Sequence, residues 1–186
     1  DIPNLIAHPL DIEQFKEDLL NLSNQTIIDL TDILMDKNIV YQFKRTSSDI
    51  VIYLFEYDYE LLGLTFYGLD KDFNQYTEHI SIPSKFPDVN WKDITRQSIY
   101  KFENDKSFKI YSDDDNSDKS EEQLFNNYLA EKNELFESWF FDCWKKTTKG
   151  IELIKDAYFS IHDTDKRIDL STMTEISEEQ IINKHK

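Results

Sequence analysis

Glycine is nearly absent: Gly63, Gly68 and Gly150 are the only three in 186 residues. Loops that wrap phosphates need several glycines so that backbone N–H groups can come close to the ligand. Neither a GxGxxG nor a GxxxxGK[ST] string occurs, so the common nucleotide-dependent chemistries are disfavoured. Cysteine occurs once, as Cys143. An internal disulfide is impossible, which fits a reducing, cytoplasmic setting. No apolar run approaches the roughly 20 residues that a membrane-crossing helix needs. Cations are in short supply: 21 Lys and Arg face 37 Asp and Glu, for a net charge of -16. Such a surface repels phosphate backbones and anionic lipid, so neither nucleic acid nor membrane is an expected partner. It attracts a basic protein.

Aromatic residues are plentiful, at 14%. Phe and Tyr bury large areas each, so a chain of this length can build a core without disulfide or metal staples. The whole chain, 1–186, reads as a single α+β domain. An antiparallel sheet of about five to seven strands is expected, flanked by an N-terminal helix and one long helix (about 121–149).

The N-terminal helix is expected over about 11–37. Ile12, Phe15, Leu19 and Leu22 stand at helical spacing, followed by Ile27, Leu30, Ile33 and Leu34. Ser23-Asn24, both cap-favouring residues, mark a potential break. The period then changes to two at Ile39, Tyr41 and Phe43, which suggests a strand. The runs Ile50 to Tyr57 and Leu61 to Tyr67 are apolar on both faces and read as central strands joined by a hairpin. A weaker strand is expected over 76–82, and a hairpin over 100–110. Residues 112–120 read as an acidic loop. In the long helix Phe125, Leu129, Phe136, Phe140 and Trp144 form one stripe. Glu121 and Glu122 sit where a helix N-terminus favours negative charge, with Lys145, Lys146 and Lys149 at the other end. Gly150 is placed to terminate it. Residues 157–161 and 168–170 read as strands around an Asp-rich turn, and Ser177 with Gln180 as a capping box for a final short helix.

Motifs with chemical meaning are few. The run Asp113-Asp114-Asp115-Asn116-Ser117-Asp118 invites a calcium reading. An EF-hand needs Gly at position 6 and Glu at position 12. From Asp113 those positions hold Asp118 and Leu124. From Asp70, in the second acidic stretch, they hold Gln75 and Ser81. No register fits, and no metal is assigned. His162, Asp163, Asp165 and Asp169 could gather around a hard cation or serve acid/base chemistry, although turn chemistry also explains them. Cys143 lies near the C-terminal end of the long helix beside Trp144, the wrong end to activate a thiolate, and reads as buried and structural. His8, His79, His162 and His185 show no zinc spacing, and no GxSxG elbow occurs. No cofactor is expected. The dense rings of Tyr53, Phe55, Phe66 and Tyr67 read as core.

In composition the chain is similar to small bacterial immunity proteins: acidic, aromatic-rich, poor in glycine and without catalytic signatures. The resemblance implies a non-enzymatic protein-binding module that neutralises a basic partner such as a nuclease toxin. Two acidic segments are its candidate contacts. One is the hairpin tip Tyr57, Asp58, Tyr59 and Glu60. The other is the loop and helix start with Asp113, Asp114, Asp115, Asp118, Glu121 and Glu122. Two alternatives stay open at this stage: a hydrolase or metal-dependent enzyme centred on His162, Asp163, Asp165 and Asp169, and a structural homo-oligomer.

Overall fold

The structure, a computed structural model, describes residues 12–59, 62–84 and 119–186. The expected hairpin at 100–110 and residues 112–118 of the acidic loop expected over 112–120 lie outside the described residues; Lys119 and Ser120, expected in that loop, are helical.

Helix α1 runs Ile12–Leu34 and turns Phe15, Leu19, Leu22, Leu30 and Ile33 inward. The break anticipated at Ser23 does not occur. The Ser23 hydroxyl donates back to the Leu19 carbonyl inside the helix and also accepts from Trp139 Nε1 at 2.9 Å. A serine satisfied in this way has no reason to leave the helix as a cap.

Three strands follow, β1 (Ile52–Tyr57), β2 (Leu64–Leu69) and β3 (Ile80–Ile82). The long helix α2 (Lys119–Thr148) leads to β4 (Asp156–Ile161), β5 (Arg167–Asp169), β6 (Thr174–Glu175) and helix α3 (Glu178–Lys184). Strand order in the six-stranded sheet is β3-β2-β1-β4-β5-β6. The sheet is mostly antiparallel, as expected, with one exception. β1 and β4 pair in parallel, Ile52 opposite Asp156 through Tyr57 opposite Ile161. The reason is the crossover: α2 carries the chain back along the sheet, so β4 re-enters in the direction of β1.

The strand expected at 39–43 is absent. Tyr41 makes one isolated bridge to Thr77, after which the backbone turns, the Arg45 N–H donating to the Gln42 carbonyl at 3.0 Å. Likewise β2 begins at Leu64 and not at Leu61, because Leu62 stands at φ 61° in the turn.

Strand alternation sorts the sheet into two faces. Tyr53, Phe55 and Tyr57 join Leu64, Phe66, Ala157, Phe159 and Ile161 in the large core shared with α1 and α2. Phe55 is its centre, with ring centroids 5.5 Å from Phe66, 5.6 Å from Phe140 and 5.4 Å from Trp144. Burying one such ring contributes about 1.5–3 kcal/mol. On the opposite face Ile52, Leu54, Leu69 and Tyr158 pack with Ile181 of α3. That helix is short, so it depends on its capping box: Ser177 Oγ accepts from the Gln180 N–H, and Gln180 Oε1 accepts from the Ser177 N–H. Gly150 ends α2 at φ 75°, the left-handed position that glycine fills at least cost. No helix among the described residues is long and apolar enough to cross a membrane.

Candidate functional site: an acidic corner at the ends of two parallel strands

The same alternation that buries Phe55 and Tyr57 sends Glu56 to the opposite face. Ser160 is its partner across the parallel pair, and His162 follows two residues later on the same side. Three hydrogen bonds fix the group. His162 Nδ1 lies 2.9 Å from Glu56 Oε1, the Ser160 hydroxyl donates to Glu56 Oε2 at 3.3 Å, and the His162 N–H donates to the Tyr57 carbonyl at 2.8 Å. On the other side of the ring, His162 Nε2 is 3.3 Å from Asp163 Oδ2.

The imidazole pKa is therefore raised above its ordinary value of 6.5. The hydrogen bond to Glu56 is the largest cause, followed by the charges of Asp163 and Glu56, with Asp58 also contributing. Behind the corner, on the helix side, Lys166 Nζ stands 3.8 Å from Glu137 Oε1. Burial raises the Glu137 carboxyl, and Lys166 pulls it the other way.

The two contact segments read from the sequence fare differently. Asp58 follows β1 directly and is half-buried, and Tyr59 is exposed. Tyr57 is a correction: it is fully buried, its ring 4.8 Å from Phe136 and 5.2 Å from Phe159. In-strand alternation assigns it to the core face, so it packs and does not meet a partner. Glu60, Asp113, Asp114, Asp115 and Asp118 lie outside the described residues. Glu121 and Glu122 fall in the first turn of α2, and their side chains are likewise outside what the structure describes.

The four residues considered for acid/base or metal chemistry do not converge. His162, Asp163 and Asp165 occupy one turn. Asp169 stands opposite Tyr158, well back along β4, where its Oδ1 accepts from the N–H and hydroxyl of Ser171. Among the described residues no three His, Cys, Asp or Glu side chains are placed to hold a metal ion. The second acidic stretch is a self-closed turn. Asp70 Oδ1 accepts from the N–H groups of Asp72 and Asn74, both at 2.8 Å, and Oδ2 from the Asn74 side chain.

Ser160, Glu56 and His162 look at first like a nucleophile, acid and base, but the connectivity is wrong. A nucleophilic serine needs an imidazole nitrogen to take its proton. Here both ring nitrogens face carboxylates, and the serine faces Glu56. Ser160 is also only 2% exposed. The group fixes the His162 ring in place and presents carboxylates around it.

No protein-family model, no curated protein and no solved structure matches the chain. Its own geometry carries the functional argument.

The corner joins two segments that the sequence reading kept apart, the hairpin beyond β1 and the turn beyond β4. Glu56 and Ser160 were not among its candidates. One signal was available for Glu56: it is the only charged residue between Ile50 and Tyr57. Ser160 carried none, since a serine in a strand is unremarkable until its neighbour is known.

Proposed function

We propose that this chain is a non-enzymatic protein-binding module that receives a basic protein at the corner formed by Glu56, Asp58, Tyr59, His162, Asp163 and Asp165. The carrying observation is that gathering of carboxylates. Two acids flank His162, two more lie within the same two turns, and Tyr59 is exposed beside them. Among the described residues two cations border the corner and both are engaged: Lys166 is turned toward Glu137, and Arg167, cross-strand from Ser160, pairs with Glu178 and donates to the Thr164 carbonyl. A corner of that composition suits the guanidinium and ammonium groups of a basic surface, and an exposed tyrosine supplies an apolar anchor. The net charge of -16 steers a cationic partner toward the chain and repels nucleic acid.

The version that best fits the composition is a bacterial immunity or inhibitor protein that acts in the cytoplasm and occludes a basic toxin, such as a nuclease. Nothing in that role requires a cofactor or a metal.

The test is capture by the immobilised chain from the cells that make it, followed by stopped-flow association of the captured protein. The proposal expects a basic partner whose association rate falls at least ~10-fold between low salt and ~0.3 M salt. A neutral or acidic partner, or a rate indifferent to salt, overturns it.

A further inference from the structure

A cation stands within reach of the acidic corner and is turned away from it. Register sets Glu56, Ser160 and Arg167 in one row across β1, β4 and β5, Glu56 opposite Ser160 and Ser160 opposite Arg167. Residues directly opposite share a face, so all three project to the side away from the long helix. Neighbouring strands lie about 4.8 Å apart, so two spacings, roughly 10 Å, separate the backbones of Glu56 and Arg167. An extended arginine and a glutamate span that gap together, and the serine between them is too short to stand in the way. Lys166 does not compete, since it turns to the helix side, toward Glu137.

The Arg167 guanidinium does not take that route. Its Nη2 donates to Glu178 Oε2 and its Nη1 to the Thr164 carbonyl, each at 3.3 Å. Glu178 is the first residue of α3 and is fixed there by the capping box of Ser177 and Gln180. Both bonds are long for charge-assisted contacts, and Arg167 Nε is buried with no acceptor among the described residues. A guanidinium is best satisfied by a carboxylate that takes two donors of its fork side by side. Glu178 takes one. Beside the side chain lies a hollow of about 480 Å³, bordered by Asp165, Glu175, Ser177 and Gln180, so packing leaves the guanidinium room to turn.

We propose that Glu178 is a positioning residue for the acidic corner: it holds the Arg167 guanidinium at the start of α3 and so keeps a cation off Glu56 and Asp165. Its importance for binding rests on the reading of the corner as the seat of a basic partner. A guanidinium released into the corner neutralises a carboxylate there. It also repels the partner's own cations at close range, inside the screening length of ~8 Å at physiological salt. And it competes with His162 for Glu56, which is the largest cause of the raised imidazole pKa.

The test compares three chains: the parent, Glu178→Gln, and the double variant Arg167→Gln, Glu178→Gln. Each is followed by NMR titration of the His162 ring with pH, and by amide NMR during addition of a synthetic Arg-Gly repeat peptide. In Glu178→Gln the His162 pKa is expected to fall below the parental value, and removing Arg167 as well should restore it. Peptide affinity, read at the amides of residues 56–59 and 162–165, should drop about 5-fold in Glu178→Gln and return in the double variant. That return separates positioning from a structural role, because both variants lack the same carboxylate and a frayed α3 would persist in both. An unchanged His162 pKa in Glu178→Gln overturns the proposal, as happens if Glu175 takes the guanidinium instead. So does a fall that the double variant fails to reverse, or peptide binding of equal strength in all three chains. The expected His162 responses without any peptide shift at the corner of the parent chain would uphold the tether and remove the binding seat.

Discussion

The imidazole of His162 and the carboxylate of Glu56 meet at 2.9 Å although 106 residues separate them in the chain. The contact exists because β1 and β4 pair in parallel and leave both residues on the face away from the long helix. Since the pairing raises the His162 pKa above 6.5, its contribution to stability has a definite sign. It is fully present below the unfolded-state pKa and is lost as pH rises through the folded value. An NMR titration of the His162 ring should give a pKa above that of a free histidine, and Glu56→Gln should bring it down. A ring that titrates at the ordinary value in the unaltered chain would contradict this geometry.

Gly68 is required by close approach and not by backbone conformation. A Cβ there would lie 2.7 Å from Thr77 Cγ2 and 3.3 Å from Ile50 Cγ2. Thr77 cannot simply withdraw, because its hydroxyl accepts from the Gly68 N–H at 2.9 Å. Gly68→Ala should therefore cost about 1–3 kcal/mol in denaturant unfolding. Thr77→Ser removes the clashing methyl and keeps the hydroxyl, so it should recover part of the loss in the double variant. Equal stability of Gly68→Ala and the parent chain would refute the register of β2 against residue 77.

Burial pushes the Cys143 thiol up to about 11, against the weaker opposing effects of Ser23 and Lys146. At neutral pH the thiolate fraction is then on the order of one in ten thousand. A disulfide reagent should react with the native protein only as fast as the core opens, and rapidly in denaturant. Fast labelling of the native chain would show that the α1–α2 interface is not closed around this residue.

Phe55 is fully buried and touches Phe66, Phe140 and Trp144. Phe55→Ala should destabilise by about 3–5 kcal/mol, since rings on both the sheet and α2 lose a partner. Phe43 is 76% exposed, so denaturation midpoints of Phe55→Ala and of Phe43→Asn should differ widely. Comparable losses would contradict the division between a core ring and a surface ring.

Much of the architecture could be read from residue spacing. The stripe of Leu129, Phe136, Phe140 and Trp144 placed the long helix, and the capping pair Ser177 and Gln180 placed the last one. Alternation failed where tertiary context decided. Ile39, Tyr41 and Phe43 have the period of a strand, but Tyr41 alone forms a bridge, and its hydroxyl donates to Asp36. The site was only half legible. Asp58 and Tyr59 could be found from the hairpin signal, and Tyr57 was wrongly included, because a turn signal does not say which face of the preceding strand is buried. The meeting of Glu56, Ser160 and His162 depends on a parallel register across more than a hundred residues, which no local pattern encodes.

The central claim is that carboxylates at the corner draw in a basic partner. The most direct measurement compares association rates of that partner with the parent chain and with the double variant Asp163→Asn, Asp165→Lys. Both positions are exposed, and Asn suits the left-handed backbone of residue 163, which has φ 59°. The account predicts an association rate lowered about 10-fold at low salt, with an unchanged melting temperature and a smaller difference at high salt. Association at the parental rate across that salt range would contradict it.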